Sequence, residues 1–515
     1  MMGAFDSRVV LESLVWLRPE ILLTLVGFAI LGLAVVVPKE QQRWAGSLAV
    51  VGLIVAGTLV ALYTPAVPFS GPKVDAGGAV GAFLDPSGHP ALVVDGFSIV
   101  LKIIFLAGAV LTVLLAMSFL DVEDAQAAEF YALVLFAVLG MMFLASGNDF
   151  ATIYIGLETM ALSSYVLVGF TRSSRATNEA ALKYFLLGAV ASAVLLYGIS
   201  LVFGATGSYN LSGIAGAIAE RPRGSSTLLE IGAVLILVGM GFKIAAVPFH
   251  MWVPDAYEGA PTPVAAFLST AAKAAAFAML LRVFHQGFHA LAAWWTPLLV
   301  VLSVASMTLG NVVAILQDNV KRMLAYSSIA HAGYLLMGLI SVGGAAGDPL
   351  TQAHGVTAVV LYLLAYTFTN AGAFSLVVML RRRGVIGDRV GDFVGLSRSN
   401  PWAAAAMVVF LMSLAGIPCT AGFIGKWWLF GAAVRADFAW LAVVAVVNSA
   451  ISLYYYARIV VAMYMVSTPA PQRVPISAGV AATFGIAAAF TLWIGVYPQP
   501  CIRLAQYAVL PLAGR

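Results

Sequence analysis

Residues 229–263 read LEIGAVLILVGMGFKIAAVPFHMWVPDAYEGAPTP, and this stretch decides what kind of fold the chain has. It starts with an apolar run of the length that crosses a bilayer, which takes about 20 residues. Lys243 lies near the end of that run, and Pro248 follows it. Because a proline removes one backbone hydrogen bond and clashes with the preceding turn, the helix should break there. The stretch predicts a membrane helix that is interrupted beside a buried charge.

The rest of the 515-residue chain is equally apolar. Hydrophobic residues make up 62% of it and charged residues 10%, against about 25% charged in soluble domains. No polar linker divides it, so we expect a single membrane domain over 1–515. Its two cysteines, Cys419 and Cys501, lack the CxxC spacing of iron–sulfur or zinc sites, and its net charge of +4 is scattered. We therefore expect no cofactor or metal in this chain and no nucleic-acid partner.

About fourteen segments are long and apolar enough to cross the bilayer as helices whose backbone amides bond internally. The sequence therefore predicts an all-α polytopic membrane protein. The segments lie near 21–37, 45–63, 95–119, 129–147, 149–170, 180–204, 229–247, 263–284, 293–316, 323–343, 354–380, 401–434, 437–465 and 476–497.

The loop charges predict the orientation, because positive charges in short loops tend to remain cytoplasmic. Loops that follow odd-numbered spans hold 12 lysines and arginines. Loops that follow even-numbered spans hold five basic residues, if Arg282 at the edge of a span is included. The N- and C-terminal tails lie on the same side as the loops that follow even-numbered spans, and they add four arginines to that side. Both termini are thus expected on the non-cytoplasmic side. The first 20 residues lack a basic start, an apolar run and a small-residue cleavage site in that order. We therefore expect no cleaved signal peptide.

A faint internal repeat recurs through the chain. Asp149 and Asp318 each lie at the start of a span and are 169 residues apart, and the prolines Pro248 and Pro418 are 170 apart. Helices 7 and 12 should therefore both be broken. Five helices per repeat is an odd number, which forces the second copy to be inverted. The predicted divisions are 1–128 (helices 1–3), 129–284 (first repeat), 285–465 (second repeat) and 466–515 (helix 14 and the C-terminus). Chance matches between apolar helices are common, so the repeat alone does not decide the fold.

Six ionisable residues fall within six different predicted spans, where a charge costs about 3 kcal/mol on insertion scales. A desolvated lysine releases its proton readily and an approaching carboxylate restores it, so Glu158 and Lys243 suit proton loading. His331 titrates near neutrality and can bridge between lysines. The predicted proton-relay residues are Glu158, Lys183, Lys243, Lys273, His331 and Lys426.

These residues also have structural explanations. Lys183 and, more so, Lys102 lie near span ends, where a lysine can extend to the lipid headgroups. His331 can be a hydrogen-bonded packing histidine, and Glu158 with Lys243 can be a structural ion pair. Lys273 and Lys426 have no carboxylate nearby in the sequence, which favours a functional role for them.

The stretch 247–263 is too polar and rich in proline for a regular helix in lipid. His250, Asp255 and Glu258 in this stretch raise the alternative of a metal site, but one histidine and two acids are weak evidence for one. We interpret the stretch, with His250 and Asp255, as a gate or proton-access loop beside the broken helix.

Several of these strings together resemble the antiporter-like membrane subunits of respiratory complex I. They are GLET (156–159), EAALKYF (179–185), GFKIAAVPFHMWVPD (241–255), GAPTP (259–263), YSSIAHAGY (326–334) and GIPCTAGFIGK (416–426). The resemblance implies fourteen helices, two inverted five-helix repeats and a place in the bacterial inner (plasma) membrane. It also implies that Glu158 pairs with Lys243. Lys273 and His331 would form the central relay, and Lys426 would face the second half-channel. Lys183 matches a further lysine of the family.

The same resemblance implies a non-redox subunit of a proton-translocating NADH:quinone oxidoreductase. Its expected partners are other membrane subunits of that complex, including sister antiporter-like subunits, together with lipid, protons and internal water. FMN, iron–sulfur clusters and quinone are expected in the partner subunits. Two alternatives remain open, a standalone cation/proton antiporter of the Mrp-like type and a structural scaffold in which the charges only hold helices in register.

Overall fold

The computed structural model gives a chain that is mostly α-helical. Thirteen helices among the described residues are long and apolar enough to span a membrane. The residues described are 7–38, 42, 44–65, 72–75, 77–84, 88–123, 127–172, 174–220, 227–344, 348–381, 387–466 and 473–508.

The N-terminal part combines helices with a small β-hairpin. The two strands pair antiparallel, with Ala79 opposite Asp95. The sequence predicts the second, third and fourth helices here but neither the first helix nor the hairpin. The elements are α1 (Ser7–Trp16), α2 (Arg18–Val36), α3 (Trp44–Leu62), β1 (Ala79–Leu84), β2 (Pro90–Asp95) and α4 (Gly96–Glu123).

The next part contains the predicted fourth to eighth spans. Its last crossing, Thr262–Gly287, is helical throughout, with π-helical turns at Leu268–Ala272 and Val283–Gly287 on either side of α12. The helices are α5 (Ala127–Ser146), α6 (Phe150–Val168), α7 (Arg175–Thr206), α8 (Leu211–Ala219), α9 (Thr227–Ile244), α10 (Trp252–Gly259), α11 (Thr262–Phe267) and α12 (Lys273–Arg282).

The remaining part contains the predicted ninth to fourteenth spans, with short 3₁₀ turns at His289–Leu291 and Val390–Phe393. Its helices are α13 (Ala292–Ala314), α14 (Val320–Gly344), α15 (Pro349–Leu380), α16 (Leu396–Ser399), α17 (Pro401–Ala415), α18 (Ala421–Arg435), α19 (Ala439–Tyr464), α20 (Ala478–Val496) and α21 (Gln499–Tyr507).

Two helices are broken where the sequence predicts it. α9 ends at Ile244, the chain turns through Ala245 at a φ of 65° and the cis peptide Val247–Pro248, and helix resumes at Trp252. α17 ends at Ala415, Gly416 follows at a φ of 89°, and α18 begins at Ala421 beyond Pro418. With α17 and α18 taken as one interrupted crossing, the described residues contain the predicted fourteen spans.

The proline-rich stretch after the first break differs from the expectation of an irregular loop. Trp252–Gly259 forms an eight-residue helix, and Trp252, Val253 and Tyr257 in it are buried. It packs against α7 and α14. Because protein rather than lipid surrounds this helix on these sides, its polar residues do not prevent helix formation.

Three crossings form the interior of the bundle. In the crossings Thr262–Gly287 and Pro349–Leu380, every residue of the 18-residue apolar segment that qualifies the helix as a membrane span is buried. In Val320–Gly344, 94% of that segment is buried. By contrast, only 39% of the corresponding segment is buried in each of the spans that contain α7, α13 and α19. Charged groups on the three inner crossings are therefore shielded from lipid.

The starts of α6 and α14 make similar backbone contacts. Asp149 forms an isolated antiparallel bridge with Asn210, and Asn319 forms one with Arg389. Both bridges join the start of one span to the chain that follows the next span. This likeness fits a repeat, and the inverted relation of its two copies stays a prediction.

Candidate functional site

His331 of α14, Lys273 of α12 and Lys426 of α18 lie in the interior of the bundle, each less than 5% exposed. Lys273 Nζ donates a hydrogen bond to the Ser328 carbonyl oxygen at 2.5 Å. Lys426 Nζ lies 4.9 Å from the centre of the Tyr334 ring. Ser328 and Tyr334 are one helical turn before and after His331, so the fold gathers three predicted relay residues along one side of α14.

The position of Lys273 follows from a local irregularity in its helix. The π turn Leu268–Ala272 ends directly before it. π turns are rare and occur often at functional sites, because the extra residue redirects the side chains that follow. Here the turn precedes a lysine whose amine contacts the backbone of a neighbouring helix.

Hydroxyl groups surround the imidazole of His331. Its Nδ1 hydrogen-bonds with Tyr362 Oη, and its Nε2 lies 3.4 Å from Tyr456 Oη. Tyr456 Oη is in turn 2.5 Å from Ser327 Oγ. A neutral imidazole has one donor and one acceptor nitrogen, and hydroxyls can serve either. Both tautomers of His331 therefore find partners.

The break in the twelfth span creates the binding site for the amine of Lys426. Its Nζ donates to the carbonyl oxygens of Leu414 at 2.9 Å and Ala415 at 3.0 Å, and to Ser449 Oγ at 2.8 Å. Carbonyls in the last turn of a helix have no intrahelical partner. Ending α17 inside the protein leaves such carbonyls to bind an ammonium group there.

Lys243 and Glu158 have separate partners. Lys243, 7% exposed, donates to Tyr165 Oη at 3.2 Å. The half-buried Glu158 accepts a hydrogen bond from Ser192 Oγ. Tyr165 and Glu158 lie about two turns apart along α6. Among the ion pairs of the described residues none joins Glu158 to Lys243, so the predicted pair is open in this structure.

Lys183 lies at the surface, unlike the buried Lys243, Lys273 and Lys426. Its Nζ is 2.7 Å from Glu179 and 2.9 Å from Asp255, and its side chain is 46% exposed. Arg322 contacts the other oxygen of Asp255 at 2.8 Å and also Glu258 at 2.7 Å. The access-loop residue Asp255 therefore belongs to an ionic cluster that connects α7, α10 and α14.

The two access-loop residues titrate differently. Burial raises the pKa of Asp255, but hydrogen bonds from Lys183 and Arg322 outweigh burial and hold that pKa below its ordinary value. The half-buried His250 lies in the turn between α9 and α10, and burial lowers its pKa. At neutral pH Asp255 is therefore charged and His250 neutral.

One expectation about a lysine is wrong. Lys102 does not extend to the headgroups but is 2% exposed, with its Nζ 2.7 Å from Glu20 Oε1. The sequence could not reveal this pair because α2 and α4, which carry the two residues, are distant along the chain. A second buried pair joins Arg282 to Asp95 at 2.9 Å, with both side chains fully buried.

The sequence alone does not indicate the polar partners of the predicted relay residues. Tyr165, Ser192, Tyr362, Tyr456 and Ser449 lie in apolar spans, where tyrosine and serine are ordinary residues. Only the rotation of each helix about its axis decides which of them faces a lysine or His331. A hydropathy pattern carries no such information.

Comparison with known proteins identifies similar chains. The family described as NADH:quinone oxidoreductase/Mrp antiporter, TM, matches residues 147–452. "NADH-quinone oxidoreductase subunit N" of Trichlorobacter lovleyi is 43% identical over 496 residues, with 96% of each chain covered. "NADH-quinone oxidoreductase subunit N 2" of Roseiflexus castenholzii is 40% identical over 511 residues, with 98% of each covered.

Solved structures with the same fold include a chain of respiratory complex I from Thermus thermophilus with bound aureothin. That chain is 34% identical, has a TM-score of 0.76, and is matched over 95% of this chain and 100% of its own length. A chain of the Mrp complex from a Dietzia species has a TM-score of 0.79 at 23% identity, with 98% of both chains covered. The second likeness concerns the fold alone.

Proposed function

Because this chain belongs to the membrane-subunit family shared by NADH:quinone oxidoreductase and Mrp antiporters, we propose that it is a proton-translocating membrane subunit of an NADH-quinone oxidoreductase. The observation that carries the proposal is the buried set Lys273, His331 and Lys426 on one side of α14. The relatives that cover nearly the whole chain have the name of a subunit of that complex. We further propose the bacterial inner membrane as its location and sister membrane subunits as its neighbours.

Each lysine of the relay balances two opposing effects. Burial disfavours the ammonium form, and hydrogen bonds to carbonyl or hydroxyl oxygens favour it. Lys273 and Lys426 both have such acceptors. A small movement of the acceptor relative to the amine changes whether the lysine retains its proton. His331, lying between them on α14, accepts a proton from one side and donates it to the other through its two nitrogens.

Glu158 and Lys243 serve as the loading pair in this proposal. Lys243 is bonded to Tyr165 and Glu158 to Ser192, which corresponds to the separated state of the pair. Approach of the carboxylate would favour the ammonium form of Lys243, and separation would release the proton towards Lys273. Lys183 and Asp255 belong to the exposed cluster, where protons from the aqueous phase arrive.

The energy for transport comes from other chains in this proposal. Moving one charge against a membrane potential takes about 2.3 kcal/mol per 100 mV. The chain has only two cysteines, too few to hold an iron–sulfur cluster. FMN, iron–sulfur clusters and quinone are therefore assigned to partner subunits, and this chain is a non-redox part of the enzyme.

Substitution of Lys273 by methionine in the assembled complex tests the relay. Methionine retains the length of the side chain but cannot carry a proton, so we expect fewer protons pumped per electron while NADH-quinone reduction continues. The control is the double substitution Lys102→Met with Glu20→Gln, which neutralises another buried lysine and its partner. An unchanged ratio in the Lys273 variant, or an equal loss in the control, would contradict the relay.

A second candidate function is a standalone cation/proton antiporter, because the description of the matching family covers Mrp antiporters as well as NADH:quinone oxidoreductase. Sodium-dependent proton transport by the purified single chain in vesicles would support it. Co-purification of the chain with flavin and iron–sulfur subunits would support the first proposal. A purely structural scaffold predicts that Lys→Met substitutions alter assembly or stability and spare pumping.

A further inference from the structure

Two hydroxyl groups hold the members of the loading pair, Glu158 and Lys243, apart from each other. Lys243 Nζ donates a hydrogen bond to Tyr165 Oη at 3.2 Å, and Glu158 Oε1 accepts one from Ser192 Oγ. Tyr165 belongs to α6 and Ser192 to α7. Each member of the pair therefore has a neutral partner, and that partner competes with direct contact between the two charges.

The amine and the carboxylate differ by about one turn in their level along α7. A Cβ added at Gly188 would overlap the Tyr165 hydroxyl, so this hydroxyl lies directly against the backbone of α7. Ser192 follows Gly188 by four residues, which is a rise of about 6 Å. The amine of Lys243 therefore has to move by only about one helical turn to exchange the phenol for the carboxylate.

Aromatic contacts connect the phenol to the short helix α10. The ring of Tyr184 packs edge-on against that of Tyr165, with 4.6 Å between the ring centres. Trp252, the first residue of α10, stacks on Tyr184 at 4.4 Å. Its Nε1 also donates to the carbonyl oxygen of Phe242 at 2.9 Å, directly before Lys243 in the chain. A movement of α10 would therefore displace the hydrogen-bond acceptor and the amine together.

We propose that Tyr165 is a positioning residue that holds Lys243 away from Glu158 and keeps the loading pair open, while Ser192 holds the carboxylate. This inference rests on the proposed function, in which closing of the pair loads a proton. A phenol oxygen accepts a hydrogen bond without carrying a charge. It thus satisfies the buried amine without the attraction that keeps an ion pair closed, and the pair can open again after each transfer.

Tyr165→Phe in the intact complex tests the proposal. The phenylalanine ring retains the aromatic packing but offers the amine no acceptor, so we expect Lys243 to pair with Glu158. Cryo-electron microscopy should then place Lys243 Nζ within about 4 Å of the carboxylate. The number of protons pumped per electron should fall, because a closed pair retains its proton. Tyr197→Phe is the control, since its side chain is on α7 and 60% exposed, and it should change neither result.

Gly188→Ala removes the same hydrogen bond by another route. The added Cβ displaces the Tyr165 hydroxyl while the tyrosine remains, so the pair should close in this variant too. Gly204→Ala is the matched control on the same helix, because the nearest atom to its added Cβ, Leu228 Cδ2, is 3.8 Å away. The glycine variants decide the test if Tyr165→Phe does not assemble.

An infrared signature separates positioning from packing. The band of the Glu158 carboxylate is identified by its absence from Glu158→Gln, and its frequency depends on the partner of the carboxylate. It should shift in Tyr165→Phe and Gly188→Ala, in which an ammonium group reaches the carboxylate, and stay unshifted in both controls. A tyrosine that only supports packing would lower the unfolding temperature and leave this band unchanged.

Two results would overturn the proposal. One is an unmoved Lys243 with an unshifted carboxylate band in both Tyr165→Phe and Gly188→Ala. The other is an equal shift of the band in Tyr197→Phe. Neither result depends on pumping, whereas failure of the proposed function would appear as an unchanged proton-to-electron ratio in Lys273→Met.

Discussion

The hydroxyl of Tyr456 connects His331 to a second residue of its own helix. It lies 2.5 Å from Ser327 Oγ and 3.4 Å from His331 Nε2. Ser327 precedes His331 by one helical turn, so one phenol on α19 bridges two adjacent positions of α14. Since the imidazole nitrogen and the hydroxyl are both buried, losing this partner leaves polar atoms without a hydrogen bond, which costs about 1–3 kcal/mol.

Tyr456→Phe should therefore lower the free energy of unfolding by about 1–3 kcal/mol and reduce the protons pumped per electron in the complex. The benzene ring remains, so the packing of α19 changes little. Tyr454→Phe is the matched control, because its side chain is on the same helix and 59% exposed. Thermal unfolding and a proton-to-electron ratio measured in vesicles check the prediction. Pumping at the unsubstituted ratio would mean that the bridge only supports packing.

At this scale the sequence reveals the charged residues but not their partners. Lys273 and Lys426 stand out because a charge in an apolar span is costly. Tyr456, Tyr362 and Ser449 do not, since each is an ordinary residue of a membrane helix. Their role depends on which side of α15 or α19 faces His331 on α14 or Lys426 on α18. Packing between helices, most of them distant in the chain, decides that orientation.

At the scale of elements, the interruption between α17 and α18 is what gives Lys426 its acceptors. Gly416 has a φ of 89°, a left-handed conformation that L side chains rarely adopt. A Cβ added there would lie 2.9 Å from Lys426 Cδ. Glycine at this position thus permits both the turn and the close approach of the lysine to the end of α17.

Gly416→Ala should displace the Lys426 side chain and strain the turn by about 1–2 kcal/mol. We expect a lower proton-to-electron ratio with the lysine still present. Gly431→Ala is the control, because it lies within α18 and the nearest atom to an added Cβ, His354 Nε2, is 3.8 Å away. That variant should pump normally and unfold at the same or a higher temperature. Normal pumping by Gly416→Ala would show that Lys426 does not need this geometry.

The sequence predicts long elements well and short ones poorly. Apolar runs and the prolines Pro248 and Pro418 give the spans and both breaks, because burial of the backbone in lipid permits few alternatives. The hairpin of β1 and β2 has no comparable signal, since its strands have six residues each. α10 was missed for a different reason. Its polar residues suggest a loop, and only its packing against α7 and α14 makes a helix favourable.

At the scale of the whole molecule, the site lies where the bundle is least accessible to lipid. The three inner crossings carry Lys273 and His331, and helices such as α7, α13 and α19 form the outer part of the bundle. Ionisable groups in membrane spans face the bundle interior or a water-filled cavity, so protons reach these amines through the protein and not through the lipid. The direction of transport then depends on which face of the bundle the exposed cluster around Asp255 occupies.

The loop charges predict that this cluster faces the cytoplasm. Asn178 lies in the first turn of α7, near the predicted cytoplasmic loop, and Tyr209 lies beyond the other end of the same helix; both are exposed. In a chain with Cys419 and Cys501 replaced by serine, a membrane-impermeant maleimide added to intact spheroplasts should label Tyr209→Cys and not Asn178→Cys. Inverted vesicles should give the opposite pattern. The reverse labelling in both preparations would mean that the orientation is opposite to the predicted one. The Lys183–Asp255 cluster would then face the side where protons leave rather than the side where they enter.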